Sequence, residues 1–231
     1  MARTIPEDRF KSLIEVATAT FIAEGYRQTQ MADVAEALGV AKGTLYGYVQ
    51  SKAALFDAAV RHADGHERLP ETDELPVQTP APGATVALLE HRIASEAADL
   101  RLVELAAGRP SNDPRDELHD LLADLYRRAY RNRFAIKLAD RCASERPDLA
   151  AVWFGRGRWA QHELLMHYLR TRIGAGHLRP VPSVPLAART LLETVAFWAV
   201  HRHWDPSPQS IEEGIVEDAV VDLLVHSLIQ E

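Results

Sequence analysis

An all-α fold is predicted by three observations. Alanine and leucine dominate an apolar share of 47%, while aromatic residues make up only 7%, a balance that favours helix over strand. Apolar residues recur at three- and four-residue spacing along most of the chain. No segment sustains two-residue alternation, so no sheet is expected. Within 231 residues this suggests about nine helices. They group as an N-terminal three-helix domain over 1–65, with the start of a fourth helix, a Pro-rich loop over 66–83 and a helical domain over 84–231.

Each element has a local reason. Thr4 and Glu7 have capping-box spacing, with Pro6 in the first turn. Phe10, Leu13, Ile14, Ala17 and Phe21 then mark one helical face, and Gly25 ends the first helix. Thr29 offers an N-cap to the second helix, whose apolar face is Val34, Ala35 and Leu38. Leu38-Gly39-Val40 is a tight turn, with Gly39 free to take the left-handed conformation. A short third helix follows from Lys42, with Leu45 and Val49 as its apolar anchors. Ser51 caps the fourth helix, which turns Leu55, Phe56 and Ala59 inward.

Pro70, Pro76, Pro80 and Pro82 make the next stretch a loop or linker. Helices resume over 84–107 and, after a cap at Asn112 or Asp113 with Pro114 behind it, to about residue 146. Pro147 opens a helix ending at Gly174, with Gly155 and Gly157 as weak points inside it. Ser183 with Pro185, and Ser207 with Pro208, open the last two. Both are apolar on more than one face. Two copies of the chain would bury the surplus in a four-helix seam of Leu192, Val195, Ala196, Ala199, Val216, Val220, Leu223 and Leu224. The alternative is a monomer with both helices central in its core.

Composition bounds the function. A net charge of −7 excludes coating of nucleic acid by bulk positive charge, so any DNA contact is local. No acidic residue lies between Glu36 and Asp57, and that gap holds the third helix with Lys42 and Lys52. A phosphate backbone tolerates such a surface. The single Cys142 excludes an internal disulfide and a multi-cysteine metal site. No signal-peptide pattern and no apolar run of ~20 residues is present, so a cytoplasmic protein without membrane association is expected.

Over roughly residues 10–60 the chain resembles the TetR family of bacterial transcriptional regulators. The carrying residues are Ala35-Glu36-Ala37-Leu38-Gly39-Val40, Lys42-Gly43-Thr44-Leu45-Tyr46, Tyr48, Ser51-Lys52 and Leu55. Beyond residue 60 the likeness is one of layout, with a Gly176-His177-Leu178-Arg179-Pro180 turn before Ala187-Ala188. Gln30, Ala41 and Val49 depart from the family's usual residues. Ala41 weakens the cap of the third helix, and Gly47 weakens its interior by about 1 kcal/mol.

The resemblance implies a homodimer that reads a palindromic double-stranded DNA operator through a helix-turn-helix domain. It also implies a helical C-terminal ligand-binding and dimerisation domain, and a small-molecule effector that releases a repressor. It places Lys42, Gly43, Thr44 and Tyr46 in or beside the major groove, and Thr29, Tyr48 and Lys52 on phosphates. In the C-terminal part His91, Tyr126, Tyr130, Phe134, Trp159, His162, Met166 and Trp198, with Trp153, His167 and Trp204, are candidates for a pocket or for plain core.

His201/His203 and His162/His167 have poor spacing for chelation on a helix, so no metal is expected. No cofactor motif, nucleophile–base pair or paired carboxylate stands out, so no cofactor and no enzyme activity are expected. An all-helical enzyme, or a DNA binder without an effector, are the rival readings. The basic run Arg127, Arg128, Arg131, Arg133, Lys137 and Arg141 reads as a solvated face.

Overall fold

The computed structural model describes residues 7–108, 113–207 and 210–229. Thr4 and Pro6, Pro110 and Asn112, and Pro208 lie outside them. Among the described residues there is no β-strand, and the chain forms two compact units. The first takes residues 1–90 and 134–153, the second 91–133 and 154–231.

In the first unit α1 (Glu7–Gln28), α2 (Met31–Ala37), α3 (Lys42–Leu45) and α4 (Lys52–His62) follow one another. The predicted α1 face is the core: Phe10, Leu13, Ile14, Ala17 and Phe21 are all buried, packed on α4. The Phe56 ring of α4 meets Phe21 and Tyr26 edge-on, both at 5.1 Å. Helical geometry breaks at Gly25, φ +87°, where the sequence ends the first helix. The Ser51 hydroxyl accepts from Ala54 N–H at 3.1 Å and starts α4. Thr29, by contrast, does not cap α2. Gln30 occupies that position, its N–H donating to the Asp33 carboxylate at 2.9 Å.

The nine predicted helical segments are present, and several are interrupted. The segment beginning at Ala84 divides into α5 (Ala84–Ala98) and α6 (Arg101–Ala107). The break is satisfied from α7 (Pro114–Arg131). Asp124 accepts Arg101 N–H at 3.1 Å, and Arg128 donates to the carbonyls of Asp99 at 2.6 Å and Glu96 at 3.2 Å. Asp113 caps α7.

The helix expected to run on to residue 146 stops at Asn132, and α8 (Arg133–Ala143) begins anew. Asp64 supplies the reason, accepting the N–H groups of Phe134 at 3.0 Å and Ala135 at 2.8 Å. After α9 (Pro147–Ala150), residues Ala151–Arg158 form π-helix where Gly155 and Gly157 sit, and α10 (Trp159–Gly174) continues it. Two weak helix formers in three residues make that widening easy. Ser183 caps α11 (Val184–Ala199), a short 3₁₀ turn covers His201–Trp204, and α12 begins only at Glu213, ending at His226.

In the second unit α7 packs against α11 and α12, and α10 against α6 and α11. An ion pair lies in its interior. Arg172 and Glu117 are 1% and 3% exposed, with Nε to Oε1 at 2.6 Å. Arg172 also donates to the Leu105 carbonyl at 3.0 Å, and the Tyr168 hydroxyl donates to Glu117 at 3.1 Å. The cluster ties the end of α6 and the start of α7 to the last turn of α10. Removing one partner leaves a buried charge, so Glu117→Ala is expected to lower stability by about 3–5 kcal/mol in urea denaturation. Replacing both residues by apolar ones, as in Glu117→Leu with Arg172→Met, is expected to cost less than either single change.

Candidate nucleic-acid interface

The predicted reading element is built as two helices across a glycine turn. Gly39 has φ +70°, and Val40 N–H donates to Ala35 O at 2.9 Å. α3 itself is one turn long. Thr44 N–H closes on Ala41 O at 2.8 Å, and two more three-residue bonds follow, from Gly47 to Thr44 and from Tyr48 to Leu45, both at 3.0 Å. Ala41 offers no side-chain cap.

Leu45 and Val49 are fully buried, and Tyr48 is 3% exposed. Lys42, Gly43 and Thr44 face solvent, and Tyr46 is 43% exposed. One face thus anchors α3 and the opposite face presents a cation, a hydroxyl, a phenol and a bare backbone. Tyr48, placed on phosphate by resemblance, lies with the core face.

Two predicted phosphate contacts are engaged inside the protein. The Thr29 hydroxyl is buried and donates to Gly25 O at 2.7 Å. The Lys52 ammonium donates to the carbonyls of Tyr26 at 2.9 Å, Arg27 at 3.2 Å and Thr29 at 3.0 Å, and stands 4.9 Å from the Tyr26 ring centre. An ammonium has three N–H donors, and all are used. Lys52 therefore closes the C-terminal end of α1, where the helix dipole favours a cation.

α8 and the residues after it hold the same end. Arg141 donates to Glu24 O at 2.7 Å and pairs with Glu145 at 3.0 Å. Glu145 accepts Arg27 N–H at 2.7 Å. That N–H, then Arg141, hold the Glu145 carboxyl below its usual range, so this contact is intact at neutral pH and weakens as pH falls through the depressed value. Gly25 sits at φ +87°, which favours glycine, and a Cβ there would lie 2.2 Å from Glu145 Oε1 and displace that side chain. Burial pushes the neighbouring Cys142 thiol up to about 12, leaving it inert at neutral pH.

Nothing local in the sequence announces Glu145, 118 positions from Arg27. Arg141 and Arg128, read as part of a solvated face, are in fact intramolecular donors.

The predicted pocket residues do not converge. Tyr126, Tyr130 and Trp198 gather around a polar cluster that the sequence did not flag. The Tyr126 hydroxyl donates to Glu213 at 2.5 Å, Arg202 pairs with the same carboxylate and donates to Trp198 O at 2.8 Å, and His203 packs 5.7 Å from Tyr130. Burial, then Glu213, push the Tyr126 phenol above its usual range, and burial, then Arg202, hold His203 below its own.

The others lie elsewhere. His91 is exposed on α5. Phe134 is in the first unit, at the start of α8. Trp159 is 60% exposed and packs on His162, whose ring nitrogen meets Pro185 O at 3.0 Å. Met166 is buried beside Arg170, at 3.8 Å. An open depression of about 420 Å³ on α11 is lined by Arg189, Thr190, Glu193, Thr194, Phe197 and Trp198.

The predicted dimer seam needs a similar correction. Val195, Ala199, Val216, Val220 and Leu224 are buried within their own unit, where α11 and α12 pack against α7 and each other, and Leu192 and Ala196 are half-buried. Leu223 alone of the eight is strongly exposed, at 70%, and the other exposed large apolar side chains of these helices are Leu186, Phe197 and Ile215. Periodicity identified the apolar helices without telling which stripe meets α7. Among the described residues no group of three His, Cys, Asp or Glu could hold a metal, and no helix is long and apolar enough to cross a membrane.

Comparison with known proteins agrees with this geometry. Residues 13–59 match the model of the bacterial regulatory proteins of the tetR family. A Bacillus subtilis (strain 168) protein, the uncharacterized HTH-type transcriptional regulator YhgD, is 44% identical over 50 residues, 22% of this chain and 26% of that one. The chain thus matches about a quarter of that relative's length.

Solved structures share the fold across nearly the whole chain. The ketosteroid transcriptional regulator KstR2 of Mycobacterium tuberculosis has a TM-score of 0.58 at 17% identity, covering 99% of this chain and 98% of that one. A tetR-family regulatory protein from Rhodococcus RHA1 has a TM-score of 0.52 at 16% identity, covering 96% and 97%. AibR, solved with isovaleryl coenzyme A and operator DNA, has a TM-score of 0.52 at 18% identity, covering 94% and 98%. The likeness to the tetR family of bacterial regulatory proteins thus rests on residues 13–59.

The roles of Lys52 and Gly25 can be checked by denaturation. Lys52→Ala leaves three carbonyls unpaired and is expected to cost about 1–3 kcal/mol. Gly25→Ala is expected to cost a similar amount, about 1–3 kcal/mol, from backbone strain and the clash with Glu145. A Lys52→Ala protein of unchanged stability that had lost only DNA affinity would return the ammonium to phosphate.

Proposed function

We propose that the chain is a ligand-responsive, DNA-binding transcriptional regulator, a repressor released from its operator by a small molecule. The outward face of α3 carries this reading: Lys42, Gly43, Thr44 and Tyr46 are exposed on an element whose other side is core. Residues 1–65 serve as the DNA-binding domain and residues 84–231 as the effector and dimerisation domain.

In a two-fold dimer the two α3 elements enter successive major grooves, about 34–36 Å apart. Lys42 donates to guanine edges, Gly43 lets the backbone approach, and Thr44 and Tyr46 reach the groove wall. Thr29 and Lys52 act through position, fixing the end of α1 from which α2 and α3 depart. The second subunit packs on Leu186, Phe197, Ile215 and Leu223, which the chain alone leaves exposed. AibR holds an acyl coenzyme A and operator DNA in one complex of this fold, which supports an effector acting through the second unit. Release requires the effector to bind the DNA-incompetent arrangement more tightly than the competent one.

Tyr46→Ala is expected to weaken binding to a DNA fragment selected from random duplexes by at least about tenfold, with thermal stability unchanged. Unchanged affinity in a gel shift would overturn the site. Leu223→Asp is expected to convert a dimer at micromolar concentration into a monomer in sedimentation. A wild-type chain that sediments as a monomer would remove the seam.

A further inference from the structure

The Pro-rich stretch before α5 lies directly against the exit of α3. Val77 N–H donates to Tyr48 O at 2.8 Å and Val77 O accepts Gln50 N–H at 3.0 Å, in a parallel bridge with Val49. Side chains continue the pairing. Gln50 Nε2 donates to Gln78 Oε1 at 2.6 Å, Thr79 N–H donates to Gln50 Oε1 at 3.1 Å, and the Ser51 and Thr79 hydroxyls meet at 2.8 Å. Val49 is buried and Val77 half-buried, while Gln50, Gln78 and Thr79 face solvent.

We propose that this paired edge, Gln50 with Gln78 and Thr79, is a second DNA-contacting surface that grips the sugar–phosphate backbone beside the groove read by α3. The inference rests on the reading of α3 as the DNA-reading element. Three observations carry it.

First, the donors are in surplus. Each amide NH₂ has two N–H groups. Gln50 uses one on Gln78, and Gln78 uses one on Pro76 O at 2.8 Å. Of the paired Ser51 and Thr79 hydroxyls, one donates to the other, so one O–H is left. Two N–H groups and an O–H thus remain on side chains already tied to one another, and Gln50, Gln78 and Thr79 are exposed. Glutamine, serine and threonine donors of this kind are common partners of phosphate oxygens.

Second, the charge pattern fits. No acid lies between Glu36 and Asp57, and none lies between Glu74 and Glu90. Both paired segments fall wholly inside these gaps. Third, the position fits. Gln50 is four positions after Tyr46, a reach of at most about 14 Å. A helix seated in a groove about 12 Å wide has a phosphate backbone on either side. The chain leaving α3 must skirt one of them, and the bridge brings Gln78 and Thr79 to the same place.

The test uses the full chain and a selected operator fragment, with hydroxyl-radical footprinting and fluorescence anisotropy over a salt series. The wild type is expected to protect sugars on the backbone bordering each half-site, and Gln78→Ala to lose that protection and about three- to tenfold in affinity. Gln78→Glu keeps the acceptor for Gln50 and adds a carboxylate. It is expected to weaken binding by more than about tenfold at low salt, with the gap narrowing as salt screens the repulsion. A merely structural brace would not give that salt dependence.

Thermal midpoints of both variants matching the wild type exclude misfolding as the cause. If Gln78→Ala and Gln78→Glu bind as the wild type does while Tyr46→Ala loses binding, the second edge is refuted and the α3 reading stands. If Tyr46→Ala binds normally as well, the reading of α3 fails and takes this edge with it. A wild-type footprint without flanking protection also overturns the proposal, whatever the variants do.

Discussion

The end of α1 is where the first unit is fixed. Helical bonding leaves carbonyls open at a C-terminus, and the Lys52 ammonium takes three of them, those of Tyr26, Arg27 and Thr29. A cation in the first turn of α4 opposes that helix's own dipole. The carbonyls of α1 more than offset it, because they combine the opposite dipole end with three direct hydrogen bonds. The direction in which the chain leaves α1 is thereby set, and with it the placement of α2 and α3. Gly25 makes the junction possible, since a side chain there would collide with Glu145 and Arg141.

From that anchor the remaining parts follow a common logic. α3 is too short to hold its own shape: it is one helical turn, capped by an alanine and followed by a glycine. Isolated helices of this length do not persist in water. Leu45 and Val49 pin it to the core, and the 76–79 segment braces its exit through backbone pairing. Thr85, in the first turn of α5, then donates to the buried Asp57 of α4 at 2.6 Å. The outward face of α3 is thus held in place by its neighbours rather than by the helix itself.

What the sequence made legible was local. The buried face of α1, the Gly39 turn, the caps at Ser51, Asp113 and Ser183, and the exposure of Lys42 and Tyr46 all follow from spacing and residue type within a few positions. What it hid was carried by distant partners. Lys52 looks like any lysine at the start of a helix until the carbonyls 23 to 26 positions earlier come into view. The helix break at Asn132 depends on Asp64, about half a domain away in sequence, and the Glu117–Arg172 pair spans 55 positions. Periodicity has the same limit in α12: it shows apolar residues on several faces, but only packing decides that Val216 and Val220 are buried while Leu223 remains outside.

The central claim is that α3 reads DNA from a two-fold dimer. Selection of bound fragments from random duplexes, followed by sequencing, tests it most directly. The account predicts an enriched inverted repeat whose half-sites are centred about one helical turn apart, 10–10.5 base pairs, or a multiple of that. No enrichment, or an enriched site without two-fold symmetry, would contradict it.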